Sequence, residues 1–146
     1  MRRIETDEDV AAGIAALVEI DPRLVPIVEV SGAVPLRRRP PGFSGLARVV
    51  TAQQVSAQAA TSIWARVETL VGADPGPRDF VGHDDAALRG VGLSAAKIRT
   101  LRAVAAAIDE GLDLEACASL PEADAVARLT AIKGIGRWTA EVWLLF

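Results

Sequence analysis

Helical spacing of apolar residues runs through almost the whole of this 146-residue chain, and this feature limits its fold more than any other. One stretch carries five apolar residues at three- and four-residue spacings: Ile98, Leu101, Val104, Ala105 and Ile108. That period is typical of one face of an α-helix. No segment shows the two-residue alternation of a half-buried strand. The sequence therefore predicts an all-α fold, a helical bundle.

Capping residues, prolines and glycines divide the chain into its predicted helices. Thr6, Asp21, Ser56 and Ser94 are residue types that favour the N-cap position. The first predicted helix begins after Thr6. The others cover 22–32, 44–71, 84–89, 94–111, 121–129 and 137 onward, and the helical region 44–71 is predicted to break at 53–56. Segments 35–42 and 72–82 are rich in Pro and Gly and are predicted to be loops. We interpret the acidic stretch 109–115 as solvated surface.

Composition places the chain among globular proteins with a real core. It is 51% apolar and 24% charged, and its length suits one domain over 1–146. No stretch approaches the roughly 20 apolar residues of a membrane span, and the N-terminus lacks the apolar segment of a secretory signal. We therefore expect a cytoplasmic protein without membrane contacts. The single cysteine, Cys117, excludes an internal disulfide, an iron–sulfur cluster and a Cys-rich zinc site, and we predict that it fills core space.

The charge of the chain is unevenly distributed. The net charge is −3, yet segment 37–66 has five basic residues and no acidic one. Segment 91–105 has three unopposed basic residues, and 128–146 is net +2. If these segments meet in the fold, they form one positive face suited to phosphate binding. Ordinary solvated helix faces would explain the same pattern, and charge alone does not choose between the two.

The motif with the clearest chemical meaning lies between 129 and 141. Gly134 and Gly136 bracket Ile135 between two helical patterns, with Lys133 and Arg137 at the flanks. We expect both glycines to take backbone conformations barred to other residues or to approach another surface closely, and Ile135 to lock the turn into the core. The N–H groups at the start of the second helix would then bind a phosphate. The alternative is a plain helix end and helix start that bind no ligand.

The sequence Lys-Gly-Ile-Gly-Arg-Trp-Thr-Ala-Glu at 133–141 resembles the hairpin of the helix-hairpin-helix DNA glycosylase superfamily. Segment 49–60, with Gln53-Gln54-x-Ser56-x-x-Ala59-Ala60, is similar to a signature of its alkylpurine (3-methyladenine) branch. Segments 92–97 and 21–24 resemble two further parts of the same branch. Together the similar segments cover essentially the whole chain in order. The resemblance implies base excision repair: hydrolysis of the N-glycosidic bond of alkylated purines in duplex DNA after base flipping.

The resemblance also assigns roles to particular residues. Gln54, or its neighbour Gln53, matches the side chain that fills the gap left by the flipped base, although either glutamine could instead tie two helix ends together. Trp138 stands where members with lyase activity have a nucleophilic lysine, which implies a monofunctional enzyme that leaves the strand intact. Trp138 is then a base-pocket residue, with core packing as its alternative. Val142 replaces a second aromatic residue of the family, which changes the shape of the pocket.

DNA and a monovalent cation are the ligands that the resemblance implies. The residues expected to contact DNA are Gln53, Gln54, Lys133, Gly134, Ile135, Gly136, Arg137 and Thr139. Sodium or potassium would be held by the backbone carbonyls of Thr130, Ile132 and Gly134. No other cofactor is expected. The partner is double-stranded DNA with damaged bases, and the protein is expected to act as a monomer.

The resemblance places the catalytic aspartate beyond Phe146, more than one helix after the hairpin. That carboxylate would stabilise the cationic sugar of the transition state. No aspartate among the 146 residues matches its position, so the chain alone is expected to be inactive and truncated at its C-terminal end. Two alternatives stay open: a noncatalytic helix-hairpin-helix DNA-binding module, and an all-α interaction domain without a role on DNA.

Overall fold

A computed structural model describes residues 4–145 of the chain, and within them every regular element is a helix. The all-α prediction is confirmed for this part of the chain. The α-helices are α1 (Asp7–Ile20), α2 (Val25–Ser31), α3 (Gly42–Ala52), α4 (Ala57–Val71), α5 (Pro77–Val81), α6 (Asp85–Gly90), α7 (Ala95–Asp109), α8 (Leu114–Ala118), α9 (Glu122–Thr130) and α10 (Arg137–Leu145). A 3₁₀ turn, Pro22–Leu24, precedes α2. No helix within residues 4–145 combines the length and the apolar character needed to cross a bilayer.

The chain forms two compact units, Met1–Arg38 and Arg39–Phe146. In the first unit, Thr6 caps α1 by accepting a hydrogen bond from the Asp9 N–H at 3.2 Å. Asp21 caps the 3₁₀ turn and forms a salt bridge with Arg23 at 2.8 Å. These caps are the ones that the sequence predicted. The prediction of a single domain over 1–146 stays a prediction.

The core of the second unit is built on α3 and α7. Helix α7 packs against α3, α5 and α6, and α3 also packs against α4 and α10. Four residues of the face predicted for α7 are at most 1% exposed, namely Ile98, Leu101, Val104 and Ala105, and the fifth, Ile108, is partly buried against the core. Cys117 has no exposed surface, which confirms its predicted place in the core. Burial of these side chains removes apolar surface from water, the main favourable contribution to folding.

Helix α10 packs against the start of α3 through Trp143, beside a very close approach of Gly45 to Pro40. A Cβ atom on Gly45 would lie 2.0 Å from the Pro40 carbonyl oxygen, so only glycine fits there. The indole N–H of Trp143, which is 8% exposed, donates to the Gly42 carbonyl at 3.3 Å. This packing fixes the helix whose first turn belongs to the Gly-Ile-Gly hairpin.

Two short helices were not predicted from the sequence. Helix α5 lies inside the predicted loop 72–82, where Asp79 accepts a hydrogen bond from the Gly76 N–H at 2.8 Å and Phe80 is fully buried. Helix α8 begins inside the acidic stretch 109–115, where Asp113 accepts a hydrogen bond from the Ala116 N–H at 2.9 Å. Both helices have five residues, too few to show a helical period. The prediction of a loop over 72–82 was therefore wrong for residues 77–81.

Candidate nucleic-acid interface

The hairpin turn joins α9 to α10 through a short, closed connection. The Ile135 N–H donates to the Ile132 carbonyl at 3.0 Å and closes the turn. The side chains of Ile132 and Ile135 are 8% and 4% exposed, whereas Lys133 and Gly136 face solvent. Ile135 therefore locks the turn into the core, as the sequence predicted.

Gly134 is the residue on which the shape of the turn depends. Its φ is +95°, in the left-handed region that side chains disfavour. A Cβ atom at this position would lie 2.0 Å from the hydroxyl oxygen of Thr100 on α7. Glycine is thus required both by the backbone conformation and by the approach of the neighbouring helix.

Gly136 differs from Gly134, and the prediction for it was wrong in part. Within residues 4–145, Gly136 does not have a positive φ, and a Cβ atom at this position would meet nothing within 4 Å. Nothing in the described part of the chain therefore demands glycine at this place. Because Gly136 has no side chain, the start of α10 is left accessible to a ligand.

Within the described part of the chain, the first turn of α10 leaves three backbone N–H groups without a backbone acceptor. The Ala140 N–H is the first to donate back along the helix, to the Gly136 carbonyl at 3.1 Å. Within residues 4–145, the N–H groups of Arg137, Trp138 and Thr139 have no backbone acceptor. Unpaired N–H groups at a helix N-terminus, together with the helix dipole, form an anion site. Helix α10 has nine residues, long enough to carry a dipole.

A second turn, the glutamine turn (residues 53–56), joins α3 to α4. Ser56 caps α4 by accepting from the Ala59 N–H at 3.2 Å, as predicted. The Gln53 amide donates to the hydroxyl of Thr139 at 2.7 Å, and so ties this turn to α10. Gln54 has φ +56° and an exposed side chain. Of the two glutamines, Gln53 is held inside the protein and Gln54 is presented to solvent.

The two remaining site residues of α10 have opposite environments. Thr139 is 3% exposed and its hydroxyl is bonded to Gln53, so a contact with an outside ligand would come from its backbone N–H. Trp138 is 59% exposed, so it does not belong to the core that residues 4–145 form. The tryptophan of this helix that does fill the core is Trp143. The DNA contacts assigned to these residues stay predictions.

Many of the basic side chains are occupied within the protein. Arg102 pairs with Asp85 at 2.8 Å, and Arg137 pairs with Glu141 at 2.6 Å. Arg48 pairs with Glu68 and lies 4.8 Å from the centroid of the Trp64 ring. The segments 37–66, 91–105 and 128–146 therefore provide less free positive charge than their composition suggests.

Lys97 is also bonded inside the protein, in a way that the sequence did not indicate. Its amino group donates to the Thr51 carbonyl, in the last turn of α3, at 2.8 Å. Partial burial lowers the pKa of Lys97 below its ordinary value. By contrast, Lys133 in the hairpin and Arg99 on α7 are exposed, and the described part of the chain gives them no ion-pair partner.

The three carbonyls expected to hold a monovalent cation fit that role by ligand type. The Ile132 carbonyl accepts one backbone hydrogen bond, and no backbone N–H within residues 4–145 donates to those of Thr130 or Gly134. Carbonyl oxygens with free lone pairs suit hard cations. Among the same residues, no group of three or more His, Cys, Asp or Glu side chains is arranged for a metal ion.

Comparison with known proteins locates this arrangement in one family. No family model matches the chain. DNA-3-methyladenine glycosylase 1 of Schizosaccharomyces pombe is 37% identical over 108 residues, 71% of this chain and 47% of that protein. The DNA-3-methyladenine glycosidase of Bacillus halodurans superposes with a TM-score of 0.75 at 37% identity over 91% of this chain and 62% of that one. The chain belongs to the helix-hairpin-helix DNA glycosylase superfamily.

The relatives named here are 3-methyladenine glycosylases, the branch of the superfamily that the sequence motifs of this chain resemble. A further structure, the S. pombe 3-methyladenine DNA glycosylase in complex with abasic DNA, has a TM-score of 0.75 at 34% identity, over 82% of this chain and 61% of that one. The chain spans about half the length of the curated relative and about three fifths of the two solved structures.

Substitution by alanine should lower the free energy of unfolding by different amounts at the two hairpin glycines. Gly134→Ala should lower the free energy of unfolding by about 2 kcal/mol or more, since the new methyl group meets Thr100 in a strained backbone. Gly136→Ala, in open space, should cost less than about 1 kcal/mol. Urea unfolding followed by circular dichroism measures both. Equal losses would contradict the structural account of the hairpin.

The two glutamines offer a second matched pair. Gln53→Ala leaves the buried hydroxyl of Thr139 without its donor and should cost about 1–2 kcal/mol of stability. Gln54→Ala truncates an exposed side chain and should change stability by less than about 0.5 kcal/mol. Thermal unfolding at one pH compares the two variants with the parent protein. A larger loss for Gln54→Ala would mean that the assignment of the two side chains is reversed.

Proposed function

We propose that the protein containing this chain is a monofunctional DNA glycosylase that removes alkylated purines of the 3-methyladenine type from duplex DNA. The observation that carries this proposal is the pairing of two turns: a hairpin that presents unpaired N–H groups, and a glutamine turn bonded to it that presents Gln54. A phosphate site beside a side chain able to fill a gap in the base stack is what base flipping requires.

The hairpin is the proposed contact with the DNA backbone. The N–H groups at the start of α10 bind one phosphate, and exposed Lys133 adds the charge that is free in this region. Gly136 leaves room for the backbone to approach. A sodium or potassium ion held by the carbonyls of Thr130, Ile132 and Gly134 would add positive charge at the same turn.

Gln54 and Trp138 are the proposed contacts with the bases. Gln54, exposed on its turn, occupies the space left in the duplex when the damaged nucleotide rotates out. The exposed ring of Trp138 stacks on the extruded purine, whose alkylation makes it electron-poor and therefore a good partner for a π face. A tryptophan has no amine for Schiff-base chemistry, so the proposed reaction is hydrolysis without strand cleavage.

The carboxylate of the reaction is proposed to come from outside these 146 residues. Glu141, the acidic residue of α10, is paired with Arg137 rather than directed to a substrate. The 146-residue chain would therefore recognise DNA without releasing a base. We also propose that the protein acts as a cytoplasmic monomer and uses no cofactor beyond the monovalent cation.

Base release from methylated duplex DNA tests this proposal. The 146-residue chain is compared with the product of the full reading frame, and both the free bases and the strand integrity are measured. Release of 3-methyladenine by the full product alone, with intact strands, is the expected result.

Two other results would overturn the enzyme assignment. If neither protein releases a base but both bind duplex with a steep salt dependence, the chain is a noncatalytic DNA-binding module. If binding is absent or insensitive to salt, the fold has no role on DNA.

A further inference from the structure

One face of helix α7 contacts both the hairpin and the last turn of α3, which leads into the glutamine turn. Lys97 donates to the Thr51 carbonyl at the end of α3, directly before the glutamine turn. Thr100, three residues later and on the same face of α7, lies against Gly134 of the hairpin. One rigid helix therefore touches both the segment that presents Gln54 and the segment that presents the backbone donors.

The bond from Lys97 meets a specific need of α3. The last carbonyls of a helix have no partner within the helix. The Gln53 N–H donates to Val50, while the Thr51 carbonyl receives the Lys97 amino group from a residue 46 positions away in sequence. The backbone then enters the left-handed conformation at Gln54 only three residues after Thr51.

The glutamine turn is held from a second direction by Gln53. Its amide donates to Thr139, in the first turn of α10. The last turn of α3, which leads into the glutamine turn, is thus bonded to α7, and the glutamine turn itself is bonded to α10. Both bonds are made by residues adjacent to Gln54 or within three positions of it, so the direction of that side chain depends on both.

We propose that Lys97 is a positioning residue: it fixes the glutamine turn relative to the hairpin so that Gln54 meets the gap in the duplex, and it does not itself bind DNA. This inference rests on the proposed function. Two observations support it over a phosphate contact, namely that Lys97 is half-buried and that its amino group is already bonded to Thr51.

Binding to two duplexes tests the proposal. The probes share one sequence, and one of them carries a stable abasic site analogue that leaves the gap Gln54 would fill. Fluorescence anisotropy at several salt concentrations gives two quantities for each protein: the ratio of the dissociation constants for intact and abasic DNA, and the slope of log affinity against log salt. The ratio of the two dissociation constants, measured on one protein sample, does not depend on the fraction of protein that is folded.

Lys97→Met is the test variant and Arg99→Met, exposed on the same helix, is its matched control. Lys97→Met should reduce the preference for the abasic duplex by about tenfold and leave the salt slope unchanged. Arg99→Met should keep the preference, whatever its effect on the slope. If Lys97→Met does not fold, Lys97→Gln, whose side chain is one bond shorter, should show the same loss.

Two results would overturn the inference. A salt slope that falls by about 0.9 in Lys97→Met, with the abasic preference kept, would make Lys97 a phosphate contact. An unchanged preference and an unchanged slope would leave it no role on DNA. A failure of the proposed function is recognised separately, because the unmodified protein would then show no abasic preference at all.

Discussion

The contact between Gly134 and Thr100 is the constraint on which the rest of the interface depends. It allows the hairpin to lie directly on α7, with Ile135 buried beside it. Any side chain at Gly134 would push the turn away from α7 and move the start of α10 with it. The N–H groups of Arg137, Trp138 and Thr139 owe their position to this close approach together with the packing of Trp143 against α3.

The hairpin and the glutamine turn act as one surface because side chains join them. Gln53 reaches Thr139 across 86 positions of sequence, and Lys97 reaches Thr51 across 46. Each bond uses a polar group that would otherwise lack a partner in a partly buried place, where an unpaired group costs more than the bond itself gains. The start of α10 and the turn that presents Gln54 are thereby kept at a fixed separation.

The sequence predicted features that depend on local order. Apolar spacing identified the buried face of α7, and the Gly-Ile-Gly motif identified the hairpin with Ile135 as its plug. Features set by distant partners were not predictable: Arg102 meets Asp85 and Lys97 meets Thr51 only in the fold, so composition overstated the free positive charge. The sequence also left open whether Gln53 or Gln54 is the exposed glutamine. Only the fold shows that Gln53 bonds to Thr139 and that the left-handed backbone at Gln54 accompanies an exposed side chain. Gly136 was misjudged since a glycine's role depends on its φ and its neighbours.

Amide NMR of the protein on addition of a duplex with an abasic site would show whether the two turns bind DNA together. We expect the N–H signals of Arg137, Trp138 and Thr139 to shift together with the signals of Gln54, and added salt to reverse both sets of shifts. Shifts confined to α5 and α8, with the hairpin and the glutamine turn unchanged, would contradict the account and place any DNA contact elsewhere.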